Sequence, residues 1–378
     1  MKKALSLLLI LILHIALPLT VDAYQHDDGM DIQDIEGMDE LGEAIPEQAR
    51  DYLNENSISA DDSAGLMSLS PSKLLHDLFT MAKNRITLPV KLLASLIGVV
   101  ILCSLLESMQ DTVPRSSLSD TFGIVGVIAS STILTVQIGD CIFQATQTLH
   151  DGSDFMLLYV PIFSSVLAVG GNITSATVYN TIVFGAAQII SQMTSTIFVP
   201  MIGSFLALSI VGSIMPELNL ISLANAIKSI TMWGLGIIMT IFVGLLTVQS
   251  FVGTATDTLA LKATKFAISA FVPVVGGALS EALNTVQGSM GILKASIGGF
   301  GIIAGAMTML PTIIYVIMIK GAISLAGIVS DIFGTTKLSS LFKSSSATLS
   351  IIIALLVSTT LMLIISTTIM LMTGQTAT

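Results

Sequence analysis

Charge is scarce in this chain. Only 11% of its 378 residues are Asp, Glu, Lys or Arg, against about 25% in an ordinary soluble domain. A water-soluble protein so poor in charge could not cover its own surface. With 53% hydrophobic residues and a mean hydropathy of +0.89, most of the chain must take lipid as its solvent. Cysteine is nearly absent too. Cys103 and Cys141 are too few for a disulfide framework; lying in or beside apolar runs, both read as small buried hydrophobes. Histidine is limited to His14, His26, His76 and His150, scattered along the chain. The chain has no HExxH, no P-loop lysine signature and no Cys/His spacing of a metal site. No catalytic residue, cofactor or metal is assigned, and the chain is read as not an enzyme. A basic patch with interleaved aromatics is also missing, which argues against nucleic acid as a partner.

What charge there is lies unevenly. Of the 25 acids, 13 fall between Asp27 and Asp62, against the single base Arg50, whereas from Gly65 onward 11 acids face 12 bases. The net charge of -10 therefore belongs to one segment.

The expected class is all-α, a polytopic integral membrane protein with about 7–8 transmembrane helices after a cleavable signal peptide. Residues 1–23 read as that signal peptide: Lys2 and Lys3 are the charged start, Leu5 to Leu17 the apolar core, and Val21-Asp22-Ala23 the small-residue cleavage site. Residues 24–70 form an acidic, weakly ordered exported segment. Ser70-Pro71 supplies an N-cap and a proline at the first helical position. The helix that follows, 71–86, is amphipathic, with Leu74, Leu75, Leu78, Phe79 and Ala82 at helical spacing. It suits a membrane surface or the protein's own loops equally. Residues 87–378 are the multi-spanning domain, with clear apolar spans near 88–108, 122–138, 155–170, 196–215, 230–252, 296–319 and 348–372, and a more polar one at 176–194.

Orientation rests on the signal peptide, which exports residues 24–86. On an eight-span path Arg115, Lys228, Lys320, Lys337 and Lys343 fall inside. Arg50, Lys73, Lys83, Arg85, Lys91, Lys262, Lys265 and Lys294 then fall outside, contrary to the positive-inside tendency.

The stretch 253–295 is too polar for an easy span and too apolar for a free loop. It carries Asp257, Lys262, Lys265 and Glu281, the residues singled out as path or interface candidates. One reading is a re-entrant or broken helix lining a path, since ionisable groups at membrane depth mark such paths. The other is an interfacial helix whose lysines reach the headgroups. Lys262 and Lys265 share a helical face, whereas Asp257 and Lys262 are poorly spaced for an ion pair. Gly301 and Gly305, four apart, allow close helix approach, read as packing within one chain.

Leu246-Thr-Val-Gln-Ser250, Thr256-Asp257, Leu261-Lys262-Ala-Thr-Lys265-Phe and Phe271-Val-Pro-Val-Val-Gly276 resemble the signature of the stage III sporulation protein AE family, and the order of segments resembles it over nearly the whole chain. The resemblance implies a membrane component of a sporulation-specific, secretion-like channel linking mother cell and forespore, required for late forespore development and gene expression. It implies a multi-pass place in the mother-cell membrane around the forespore. It also implies partners: other channel subunits from the same operon, including a cytoplasmic ATPase, and a forespore-membrane protein. The alternatives are a stand-alone secondary transporter, motivated by the Gly-rich ionisable region, and a non-conducting membrane scaffold.

Overall fold

The computed structural model describes residues 45–56, 58, 71–109, 118–271 and 276–372. The expected signal peptide, Ser70 and most of the acidic segment lie outside the described residues. Among the described residues 95% are helical and none is in a strand, so the chain is an all-α polytopic protein. The helices are α1 (Glu47–Glu55), α2 (Pro71–Arg85), α3 (Thr87–Met109), α4 (Leu118–Val169), α5 (Ile173–Met193), α6 (Val199–Ile214), α7 (Leu220–Phe271), α8 (Gly276–Ile332) and α9 (Thr336–Met372).

Six helical stretches in the described residues are long and apolar enough to cross a membrane: Thr87–Leu106, Gly123–Val169, Ile173–Ile214, Leu220–Ala267, Gln287–Ile332 and Thr336–Met372. The sequence had pointed to seven or eight separate spans, and the difference has a local cause. The apolar stretches 122–138 and 155–170 are two halves of α4. Those at 176–194 and 196–215 are α5 and α6, joined through a π turn at Thr194–Phe198. Between the halves of α4, Gln144 and Gln147 bond to Asp140 and Asp151 on the same helix, while Asp140, Thr148 and His150 find partners on α8, α5 and the π turn.

These helices stack two apolar cores end to end. The α3 lobe is built from Leu96 and Val100 of α3, Leu134 and Leu149 in the first half of α4, Phe205 of α6, Val316 in the second half of α8, and Leu341 and Leu356 in the first part of α9. The α5 lobe takes the complementary halves: Phe155 to Leu167 of α4, Tyr179 of α5, Leu246 of α7, Ile297 to Met307 of α8, and Met362 to Met370 of α9. Its centre is an aromatic ladder, Phe155–Tyr159–Phe163, with successive rings stacked at 5.5 Å. Tyr179 meets Phe163 edge-on at 5.4 Å, a favoured aromatic geometry. Gly301 faces the ring of Tyr159, while Gly298 and Gly305 face Leu371 and Leu363 of α9. The small-residue row on α8 therefore admits side chains of α4 and α9 of the same chain.

Two of the reversals share one local code. Gly171 (φ +84°) and Gly334 (φ +76°) sit just past α4 and α8 in the left-handed region that glycine tolerates. The amides of Asn172 and Gly171 donate to Leu167 and Ala168 carbonyls, both at 3.0 Å. Those of Thr335 and Gly334 donate to Ser330 and Asp331 at 3.1 and 3.2 Å. Both are Schellman endings. The second is reinforced by the ion pair Lys343–Asp331 at 2.9 Å.

α1 and α2 flank the α5 lobe. α1 buries Ala49, Tyr52 and Leu53 in that core and exposes Arg50, Asp51, Asn54 and Glu55. α2 packs Met81 against it and turns Lys73, His76, Lys83 and Asn84 outward. The two are tied by the Tyr52 hydroxyl, which donates to Asp77 Oδ2 at 3.0 Å.

Candidate functional site

The stretch 253–295 is the end of α7 and the beginning of α8, with 272–275 outside the described residues. α7 runs without interruption from Leu220 to Phe271. Along it Leu246, Ser250, Gly253 and Asp257 recur at helical spacing and are all buried, forming one face turned towards α5 and the α4–α5 turn.

Asp257 anchors this face. Its Oδ1 accepts the Thr174 amide at 2.8 Å and its Oδ2 the Ser175 amide at 2.9 Å. These are first-turn N–H groups of α5, which have no partner within the helix. Asn172, at the N-cap position, makes no side-chain capping bond, so the carboxylate of a distant helix performs that task. Charge-assisted bonds to a helix N-terminus are among the stronger hydrogen bonds, and the helix dipole favours the negative group. One turn earlier on α7, Gly253 lets the backbones close up: a Cβ there would stand 3.2 Å from Ser175 Cα and 3.3 Å from its nitrogen. One turn later, Leu261 covers Gly171.

The four residues singled out as path or interface candidates thus separate. Asp257 is 3% exposed and engaged with α5. Lys262 is exposed on the outer side of α7, Lys265 is half-buried, and Glu281 is exposed near the start of α8. Asp257 and Lys262 point to different surroundings, as their five-residue spacing on one helix requires.

A second polar set, which the sequence reading did not single out, lies where the two lobes meet. Gln137 Nε2 donates to the Tyr315 hydroxyl at 2.7 Å, which donates to Asp140 Oδ2 at 2.9 Å. Gln144 Nε2 donates to the same oxygen at 2.8 Å. The Thr148 and Thr312 hydroxyls pair at 2.7 Å. His150 stands between Ser191 and Ser195, 3.0 Å from each, just before and within the π turn. Both imidazole nitrogens are used by hydroxyls, which leaves neither for an orienting carboxylate. A nucleophile–base–orienter set requires one, so this contact joins α4 to α5. A cleft of about 280 Å³ opens beside the set, lined by Asn84, Arg85, Thr87, Leu88, Gln144 and Tyr315. The spacing of Gln137, Asp140, Gln144 and Thr148 along one face of α4 was the available signal in the sequence.

The lobe cores are filled by large side chains, Tyr159, Phe163, Phe205 and Phe342 among those fully buried. Among the described residues no group of three or more His, Cys, Asp or Glu is placed to hold a metal ion. Cys103 and Cys141 are buried and not joined to each other.

Comparison with known proteins agrees with the signature. The family model described as stage III sporulation protein AE matches residues 54–374. The chain is 28% identical over 266 residues to the stage III sporulation protein AE of Bacillus subtilis (strain 168). That alignment covers 70% of this chain and 65% of the relative, so it spans just under two thirds of the relative's length. No solved structure matches.

Proposed function

The chain belongs to the stage III sporulation protein AE family, and on that premise we propose that it is the membrane base of a secretion-like channel between mother cell and forespore. Its sporulation role follows from the family. We infer the channel, the two compartments and the placement in the mother-cell membrane with an exported N-terminus from that membership together with the joint between α7 and α5. The observation that carries it is the coincidence of the family signature with a structural joint. Signature residues Leu246, Ser250 and Asp257 lie on the face by which α7 holds α5. A stand-alone transporter would call for that segment to line a substrate path.

On this reading the protein performs no chemistry of its own. The energy source is another subunit, a cytoplasmic ATPase of the same operon, and the distal partner lies in the forespore membrane. Deleting the gene is expected to stop development after engulfment while vegetative growth stays normal. A growth or uptake defect in vegetative cells would instead identify a transporter.

A further inference from the structure

Two lysines of the α3 lobe, Lys228 and Lys320, lie near each other with no acid bonded to either. Lys228 stands 8 residues into α7, Lys320 12 residues before the end of α8, and Ser346 10 residues into α9. α8 and α9 meet at Gly334, and α7 begins at the same end of the bundle, where Ala224 of α7, Ala326 of α8 and Leu338 of α9 share one core. At 1.5 Å per residue the three positions are about 12, 18 and 15 Å from that end, so they form one level. Lys228 is half-buried and near enough for its charge to act on Lys320.

The donors at this level are only partly used. Lys320 Nζ donates to the Ser346 carbonyl at 3.3 Å and to Ser346 Oγ at 2.9 Å, which leaves the third N–H of the ammonium unspent. Ser324 and Ser346 meet through their hydroxyls at 2.8 Å, a contact that takes the proton of one and leaves that of the other. Lys228 makes no hydrogen bond or ion pair among the described residues. The acids of this end do not serve the pair. Asp331 is engaged by Lys343 and Ser339, and Glu217 is exposed ahead of α7. Half-buried like charges repel, and each is costly to desolvate without a counter-ion. Beside the pair the surface is open and apolar: a Cβ at Gly321 would meet nothing within 4 Å, and Leu325, Ile328 and Met232 are exposed.

We propose that Lys228, Lys320 and the Ser324–Ser346 pair hold a phosphate group, that of an anionic membrane lipid or of a free phosphate ion. A phosphate supplies the negative charge that the two ammonium groups lack, and acceptor oxygens for the unspent N–H and O–H donors. Lysine binds it as a point charge on a flexible stem, so Lys228 needs no preset geometry. Basic pockets between transmembrane helices take lipid headgroups in this way. The exposed Leu325, Ile328 and Met232 offer an apolar surface to acyl chains, which favours the lipid as the source. The site lies apart from the joint between α7 and α5, and the inference does not depend on the channel reading.

Thermal unfolding of the full chain, purified in detergent, tests it. Phosphatidylglycerol is expected to raise the midpoint by a few degrees over the same mole fraction of phosphatidylcholine, as a ligand of the folded state does. Inorganic phosphate is compared with chloride at equal ionic strength. A rise with the lipid alone identifies a headgroup with its chains as the ligand, a rise with inorganic phosphate alone the free ion, and a rise with both the phosphate group from either source. Lys228→Gln removes a charge that bonds nothing, so it is expected to keep the midpoint in phosphatidylcholine and to lose the rise. Lys228→Arg, which keeps the charge, is expected to retain most of the rise, and Lys262→Gln, far along α7, all of it. No rise with either phosphate source overturns the proposal, as does a rise of the same size in the Lys228→Gln chain or its loss in Lys262→Gln. A rise with acetate equal to that with inorganic phosphate overturns the assignment to phosphate.

Discussion

Asp257 accepts the amide of Thr174 at 2.8 Å across 83 residues of sequence, so the start of α5 is capped by the side chain of α7. Both carboxylate oxygens of this buried side chain are met by backbone amides, so its polar atoms are satisfied within the helix interface.

Replacing Asp257 removes that cap. Asp257→Ala leaves two buried amides without an acceptor and is expected to cost about 1–3 kcal/mol. Asp257→Asn keeps one acceptor oxygen and turns an NH2 towards the second amide, so it should recover only part of the loss. Thermal unfolding of the detergent-purified chain measures both, and equal stability of all three would show that the cap is idle.

Two glycines in the same lobe should behave oppositely. A Cβ at Gly253 meets the Ser175 backbone, which cannot swing aside, whereas one at Gly291 meets nothing within 4 Å. Gly253→Ala is expected to destabilise by about 1–3 kcal/mol, as overpacking does. Gly291→Ala is expected to stabilise by up to about 1 kcal/mol through helix propensity. Unfolding midpoints of the two variants moving in the same direction would contradict the close approach.

The docking of α1 should be sensitive to alkali. Burial raises the Tyr52 hydroxyl above its usual range, and its hydrogen bond to Asp77 raises it further. The neutral form is therefore favoured by folding. Its contribution is fully present below the ordinary tyrosine value of about 10 and is lost as pH rises through the higher folded value. Proteolysis within 45–58 should be constant through neutral pH and accelerate only in strong alkali. Tyr52→Phe, lacking the bond, should be cleaved faster at neutral pH and show a weaker alkaline rise.

Lys262 and Lys265 test the path reading. Lys262 is exposed on the outer side of α7, so Lys262→Leu is expected to leave spore yield unchanged. Loss of sporulation with normal membrane levels, for Lys262→Leu or for the Lys262→Ala, Lys265→Ala double variant, would return both lysines to a path.

Much of this protein was legible in the sequence. Composition placed it in a membrane, and periodicity made it all-helical. The signature at 246–276 identified its family. Tertiary structure decided what local pattern could not. Gln137, Asp140 and His150 look like residues that should end a span, but Tyr315, Ser191 and Ser195 satisfy them from α8, α5 and the π turn, so α4 runs on and two expected spans become one helix. Asp257 stood in the sequence as a path or interface candidate, and its partners, the amides of Thr174 and Ser175, could not be read there because they are 83 and 82 residues away. Whether a polar group at membrane depth is a break, a path or a cap depends on which distant donor reaches it, and only the packing of the helices supplies that donor.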